Sequence, residues 1–373
     1  MLYHLLTPLS SEFFAFNVFN YISFRAAGAT VTAILLAFVI GPGVIRRLRA
    51  RGIGQVVRGD GPASHQSKRG TPTMGGLILL VCTIVTTLLW ARLDTRYVLV
   101  AAAATLWMGA IGFVDDYLKV VQGRSRGLVA RHKLTGQITF GIALGAYLLF
   151  WPMSNELPAA STTLPFFKYV LVSMAPLLYV AFVTFVVTGT SNAVNFSDGL
   201  DGLAAGLTMI AAAAFAIFAY IFGRFDYSGY LLVYHLPGSG ELAVFCASLM
   251  GAALGFLWYN AHPSEVFMGD TGSLAIGGAL GTVAILLKSE FLLLLVGGVF
   301  VAEVVSVIIQ TTVFRWRRSR HGREYALQHR VFRMAPLHHH FEQLGWAESK
   351  VVTRFYIIAV MCALLALATL KIR

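Results

Sequence analysis

The sequence predicts an all-α, polytopic integral membrane protein, and three observations carry that prediction. Hydrophobic residues make up 57% of the 373-residue chain and charged residues only 12%, about half the ~25% charged fraction of ordinary globular chains. Several apolar runs reach the ~20 residues that a helix needs to cross a ~30 Å hydrocarbon core. The runs are continuous, whereas the strands of an outer-membrane barrel alternate apolar and polar residues.

In chain order the runs cover 24–45, 73–91, 97–114, 135–151, 168–187, 200–222, 241–259, 272–287, 291–313 and 352–370, about ten transmembrane helices. The first ends in Arg46, Arg47, Arg49 and Arg51, with Arg58, Lys68 and Arg69 to follow. The third ends in Asp115 and Asp116 and is followed by Lys119, Arg124, Arg126, Arg131, His132 and Lys133. The ninth ends in Arg315, Arg317, Arg318, Arg320, Arg323, Arg330 and Arg333. Intervening loops are poor in Lys and Arg: Arg92 and Arg96 with Asp94, Glu156 in 152–167, Arg224 with Asp226, and Lys288 with Glu290. Basic loops remain inside, so both termini are expected to be periplasmic. The expected cytoplasmic loops lie near 46–72, 115–134, 188–199, 260–271 and 314–350 of one transmembrane domain, the last an ordered loop with short helical pieces.

A net charge of +12 raises the question of nucleic acid. Its confinement to these loops answers it, because that is the pattern of membrane orientation; no nucleic-acid partner is expected. Cys82, Cys246 and Cys362 lie far apart inside apolar runs and read as small hydrophobes, with no disulfide or CxxC metal site. Residues 1–23 do not resemble a cleavable signal, since Arg25 follows the aromatic-rich stretch instead of preceding an apolar core.

The predicted orientation puts all three acidic clusters on one side. Asp115 and Asp116 are adjacent, so on a helix their side chains diverge by about 100°. Lys119 lies three positions beyond Asp116 and suits a same-face ion pair or a shared phosphate site. In Asn195-Phe-Ser-Asp198-Gly-Leu-Asp201, Ser197 or Asp198 is expected to cap the next helix. Such a cap leaves Asn192, Asn195 and Asp201 without a role. Met268-Gly-Asp270-Thr-Gly-Ser273 precedes the eighth span, where Asp270 reads as an N-cap. Gly269 and Gly272 permit close backbone approach, and a helix start favours anions. A carboxylate beside such a helix end suits Mg2+, which binds one or two carboxylates plus substrate phosphates, whereas zinc prefers Cys and His. The stretch from Lys68 through Thr73 to Gly76 is Gly- and Thr-rich but is no Walker A motif. His338, His339 and His340 are adjacent on one short segment, a poor arrangement for one shared ion; imidazoles there suit pyrophosphate contacts or proton movement.

Together KRGTPTMGG (68–76), GFVDDYLK (112–119), SNAVNFSDGLDGLA (191–204), WYNAHPSEVFMGDTGS (258–273) and PLHHHFE (336–342) resemble the polyprenyl-phosphate N-acetylhexosamine-1-phosphate transferase superfamily over almost the whole chain. The last motif resembles its phospho-N-acetylmuramoyl-pentapeptide-transferase branch. The resemblance implies a usually homodimeric, Mg2+-dependent inner-membrane enzyme of ten helices. Such an enzyme joins UDP-N-acetylmuramoyl-pentapeptide to undecaprenyl phosphate and releases UMP. By the same resemblance Asp270 is the principal Mg2+ ligand, and Asp115 and Asp116 sit near the attacking lipid phosphate. Asp198, Asn195 and Asn260 line the nucleotide-sugar pocket. Lys68, Asp201 and Phe267 hold the uridine, Lys119 and Lys133 meet phosphates, and the three histidines border the cleft. Two other readings stand beside this one: an N-acetylglucosamine-1-phosphate transferase, and a divalent-cation transporter. The transporter fits less well because such sites lie near the midplane, and these acids sit at one boundary.

Overall fold

A computed structural model describes residues 1–51, 70–123, 127–167 and 170–371. Among these, nine helices are long and apolar enough to cross a membrane. We number the spanning helices α1 (Ile22–Ala50), α2 (Gly76–Trp90), α3 (Arg96–Val120), α4 (Ala130–Phe150), α5 (Pro176–Ser197), α6 (Leu203–Phe222), α7 (Glu241–Asn260), α8 (Gly269–Leu286), α9 (Gly298–Gln328) and α10 (Glu348–Ala368). The tenth, α2, has only 15 residues, roughly 22 Å of helix against a ~30 Å core. The all-α expectation holds, and each predicted run overlaps its helix.

The bundle is organised around α8. Sixteen of its 18 residues are buried, and it packs against α3 on one side and α5 on another. Helices α2 and α7 bind α1, while α6 lies between α7 and α10. In α8 small residues, Gly272, Gly277, Gly278 and Gly281 among them, replace the bulk that would hold neighbours apart. Membrane helices associate through such close backbone approach, since lipid offers no hydrophobic drive between them.

The differences from the predicted boundaries have local causes. The fifth helix begins at Pro176, not near 168, because residues Leu171–Ser173 pair with Ser161–Thr163 in a two-stranded antiparallel hairpin. Pro176 then opens the helix, a position where a missing N–H costs nothing. At its other end α5 runs through Ser197, so most of the loop expected at 188–199 is helix. The ninth run is broken at Gly297: a short helix, Glu290–Val296, precedes α9. Helix α9 continues through the Arg-rich segment to Gln328, with a non-helical Gly322 at φ +86°. Much of the polar loop expected at 314–350 is therefore helical; Arg, Gln, Ala and Leu there favour helix. Helices also reach into the expected loops at 46–72, 115–134 and 260–271.

Away from the acidic end, Arg25 of α1 and Glu241 at the start of α7 form a bidentate pair at 2.6 Å, with side chains 1% and 5% exposed. Glu241 also accepts the Arg92 amide at 3.0 Å, which ties the α2–α3 turn to the same carboxylate. Removing one partner of a buried pair leaves the other charge uncompensated. Glu241→Ala is expected to destabilise the protein by about 3–5 kcal/mol, read as a lowered thermal midpoint in detergent; an unchanged midpoint would show that the pair carries no such weight.

Candidate active site

The sequence brings α8 to the site through its own lead-in. The amide of Phe267 donates to Pro72 O, and the amides of Gly75 and Gly76 donate to Phe267 O and Met268 O, each at 2.8 Å. This short backbone pairing joins the starts of α2 and α8 and leaves Thr73 buried, with its hydroxyl against Gly269. Gly269 has φ +73°, and a Cβ there would meet Asp116 Oδ2 at 2.7 Å. The left-handed conformation and the lack of room both require glycine.

Asp116 of α3 occupies that space. Its carboxylate accepts from the amides of Asp270 at 3.1 Å and Thr271 at 2.8 Å, and from the Thr271 hydroxyl at 2.6 Å. The first turn of α8 is thus capped by a carboxylate from another helix, which satisfies amides left open at a helix start. The expected local caps are not used: Asp270 is the second residue of α8 with no side-chain cap at Met268, and α6 starts after Gly202, again with no side-chain cap. Ser197 closes α5, and Asp198 follows as its C-cap residue.

Asp115 turns the other way, as a rotation of ~100° per residue dictates. It accepts from the Leu128 amide at 2.6 Å and from Lys119, its i+4 neighbour. The ion pair expected between Lys119 and the Asp116 side is therefore made with Asp115. Lys119 also reaches Asp270 Oδ2 at 2.9 Å, and Lys133 at the start of α4 meets the same oxygen at 2.9 Å. Asn195 donates to Asp270 Oδ1 and to Ser273 Oγ, both at 2.8 Å. Carboxylate oxygens of Asp115, Asp116 and Asp270 all lie within 4.8 Å of one another. The three acidic clusters thus converge, since Asn195 of the Asn195–Asp201 cluster holds Asp270. Burial, and next the charges of Asp270 and Asp116, raise the Asp198 carboxyl well above the ordinary carboxylate range.

Hard oxygen donors in this number and spacing fit Mg2+. The two lysines supply positive charge at the same place and suit phosphate oxygens.

A second group gathers beside Asp198. The amide of Gly202 donates to Asn260 Oδ1 at 3.1 Å, and Asn260 donates in turn to Val266 O at 2.9 Å. Asp201 Oδ2 faces His262 Nδ1 and accepts the Ser264 amide, both at 3.2 Å. Its own amide donates to Glu348 of α10 at 2.7 Å, and Tyr356 donates to Gly202 O at 2.7 Å. Glu348 and Tyr356 went unnoticed in the sequence because nothing local distinguishes them. The half-buried Phe267 flanks this loop's partner Val266. Lys68 lies outside the described residues. Asn192 is turned away from the acids; its amide donates to Gln137 and Thr188 O, each at 2.8 Å.

The three histidines sit on the short helix Leu337–Glu342 and point to three partners. His338 meets Glu303 at 3.1 Å, His339 meets Glu342 at 2.7 Å, and His340 Nδ1 accepts the Arg333 amide at 3.1 Å. Each ring is thus engaged by a different protein group.

The glycosyl transferase family 4 model matches residues 98–288, a range that contains all but the first two residues of α3, the whole of α8, and Asp115, Asp116, Asp198 and Asp270. A phospho-N-acetylmuramoyl-pentapeptide-transferase signature matches residues 68–80. A phospho-N-acetylmuramoyl-pentapeptide-transferase of Gemmatimonas aurantiaca is 61% identical, with both chains covered completely. The chain belongs to this family. Enzymes of the same name from Geobacter sp. strain M21 and Endomicrobium trichonymphae are 50% and 49% identical to this family member, again over the full length of each chain.

The tightest joint in the site is Gly112 of α3, where a Cβ would lie 2.1 Å from Asp270 O. Gly112→Ala must push α8 away from α3, which an overpacked core resists at about 1–3 kcal/mol. It is expected to lower the thermal midpoint and divalent-cation affinity together; wild-type values for both would refute this account of the joint.

Proposed function

We propose that this transferase moves phospho-N-acetylmuramoyl-pentapeptide from its UDP-activated form to undecaprenyl phosphate, giving the first lipid intermediate of peptidoglycan synthesis and UMP. The observation that carries the reading is the convergence of Asp115, Asp116 and Asp270 with Lys119 and Lys133 in a chain of full-length similarity to enzymes of that name. In the proposed setting the protein lies in the bacterial inner membrane as a homodimer, with this end of the bundle facing the cytoplasm. A soluble nucleotide and a lipid phosphate can meet only at such a boundary.

The reaction joins two anions. A lipid phosphate oxygen attacks the β-phosphorus of the UDP-sugar, and the bond to the α-phosphate oxygen breaks as UMP leaves. Asp270, with an oxygen of Asp115 or Asp116, would hold Mg2+, and the ion would supply charge neutralisation for the transferring phosphoryl group. Lys119 and Lys133, which meet on Asp270 Oδ2, exchange that partner for phosphate oxygens and balance the charge that develops. Asp116 has both oxygens held by the α8 start, whereas Asp115 Oδ2 is held by Lys119, which the scheme moves to phosphate; this favours Asp115 for taking a proton from the lipid phosphate. Phosphate is already largely ionised at neutral pH, so this transfer contributes modestly. Asn195 fixes the Asp270 rotamer. The loop from Asp198 to Gly202, with Asn260, Phe267 and Lys68, receives the nucleotide-sugar; Thr73 backs it from the lead-in to α2, Asn192 of α5 acts at one remove through Gln137, and the histidines border it.

The deciding experiment is Mg2+-dependent UMP release by the purified protein with undecaprenyl phosphate, offering UDP-N-acetylmuramoyl-pentapeptide and UDP-N-acetylglucosamine in parallel. We expect release with the first donor only. Preference for the second would move the chain to the N-acetylglucosamine branch, and cation flux without UMP would make it a transporter. Asp270→Asn is expected to abolish Mn2+ binding read by electron paramagnetic resonance; retained binding would exclude Asp270 as the metal ligand. Asp115→Asn is expected to lose activity with no phospho-sugar adduct on the protein in single-turnover mass spectrometry, since trapping one on Asp115 or Asp116 in the wild type would require a covalent route.

A further inference from the structure

Helix α9 carries one carboxylate, Glu303, inside its apolar stretch, and the scheme above has no use for it. Glu303 is 0% exposed. An ionisable group in a spanning helix is costly and usually functional. Its two oxygens serve a single residue: Oε1 accepts the backbone amide of His338 at 3.2 Å, and Oε2 lies 3.1 Å from His338 Nδ1. Held at both backbone and ring, His338 has one orientation. An ionised carboxylate can only accept, so this geometry calls for the proton on Nδ1.

The other ring nitrogen is the unexplained atom. His338 is 0% exposed, and its Nε2 is buried with no hydrogen-bond partner. It points at Gly199, where an added Cβ would lie 2.2 Å away. Gly199 directly follows Asp198 in the loop that ends at Gly202. A second tie braces the same segment: Gln310, two turns along α9, donates to Phe332 O at 3.1 Å and accepts the Phe332 amide at 3.0 Å. Helix α9 thus holds residues 332–338 at two points and sets one imidazole nitrogen against the loop beside the carboxylate cluster.

We propose that Glu303 is a positioning residue for the transfer reaction. It fixes the ring and tautomer of His338, so that Nε2 is the nitrogen presented to the Asp198–Gly202 loop and to the phosphate-bearing substrate bound there. This inference rests on the proposed transferase reading. The arrangement follows the logic by which a carboxylate orients a histidine whose far nitrogen works on the substrate. It also explains the missing side chain at Gly199: any larger residue displaces either the ring or the loop.

The test uses the full-length protein in detergent micelles with 15N-labelled histidine, the His338 signals being assigned by their loss in His338→Asn. The wild-type spectrum should show the proton on Nδ1; a proton on Nε2 alone overturns the proposal before any variant is made. Glu303→Gln preserves shape but offers an amide that can donate to Nδ1, so the tautomer should invert. The same variant should lower kcat about 10- to 100-fold, the usual cost of losing an orienting partner, with the KM for the UDP-sugar within about twofold. Gly199→Ala presses on the ring from the other side and should lower kcat comparably, with the double variant no worse than the poorer single one. An unchanged tautomer in Glu303→Gln, or an inverted tautomer with wild-type kcat, sinks the role assigned to Glu303. If the wild type releases no UMP, the transferase reading fails instead, and the wild-type spectrum still reports on the Glu303–His338 geometry.

Discussion

Three carboxylates with oxygens inside 4.8 Å repel one another strongly where water is scarce, and the structure is arranged around compensating that repulsion. Asp116 is neutralised by the amides that open α8 and by the Thr271 hydroxyl. Asp115 and Asp270 are neutralised by Lys119, and Asp270 again by Lys133. The compensation comes from three directions: a helix start, the same helix one turn on, and the next helix. At the closest joint, Gly112 of α3 against Asp270 O, no side chain holds the two helices apart.

That economy explains the packing. Carboxylates from α3 can reach the first turn of α8 only if the two backbones nearly touch, and Gly112 and Gly269 let them. The pairing of residues 72–76 with 267–268 then pins the lead-in of α8 to the start of α2. In the proposed reaction a metal ion and phosphates would meet the same carboxylates and lysines that already balance one another here. The functional geometry is preorganised in this sense, which is what electrostatic catalysis of a reaction between anions requires.

A second layer stands behind the first. Glu348 and Tyr356 of α10 hold the amide of Asp201 and the carbonyl of Gly202, and α9 holds the histidine segment through Glu303 and Gln310. Two helices from the C-terminal part of the chain therefore determine where the loop after α5 lies. Loops that bind charged ligands need such support, because their own backbone groups make few bonds to one another.

Hydrophobic run length determined the class of fold, because crossing a bilayer demands a helix of set length whatever its neighbours do. The clustering of Lys and Arg in alternate loops put every acidic motif at one end, and residue type made those motifs a plausible magnesium and phosphate site. Adjacency alone also determined that Asp115 and Asp116 diverge. What only the tertiary structure decided was partnership. Asp116 caps a helix 154 residues away, Lys119 chooses Asp115, Asn192 turns to Gln137, and the lone acid Glu303 meets His338. The pairing of Ser161–Thr163 with Leu171–Ser173 belongs here too, since Thr163 is bonded to Lys288 O just beyond α8. Local sequence sets periodicity and burial, but a hydrogen bond between distant residues depends on how closely two backbones can approach, and that is settled by all the helices packing together.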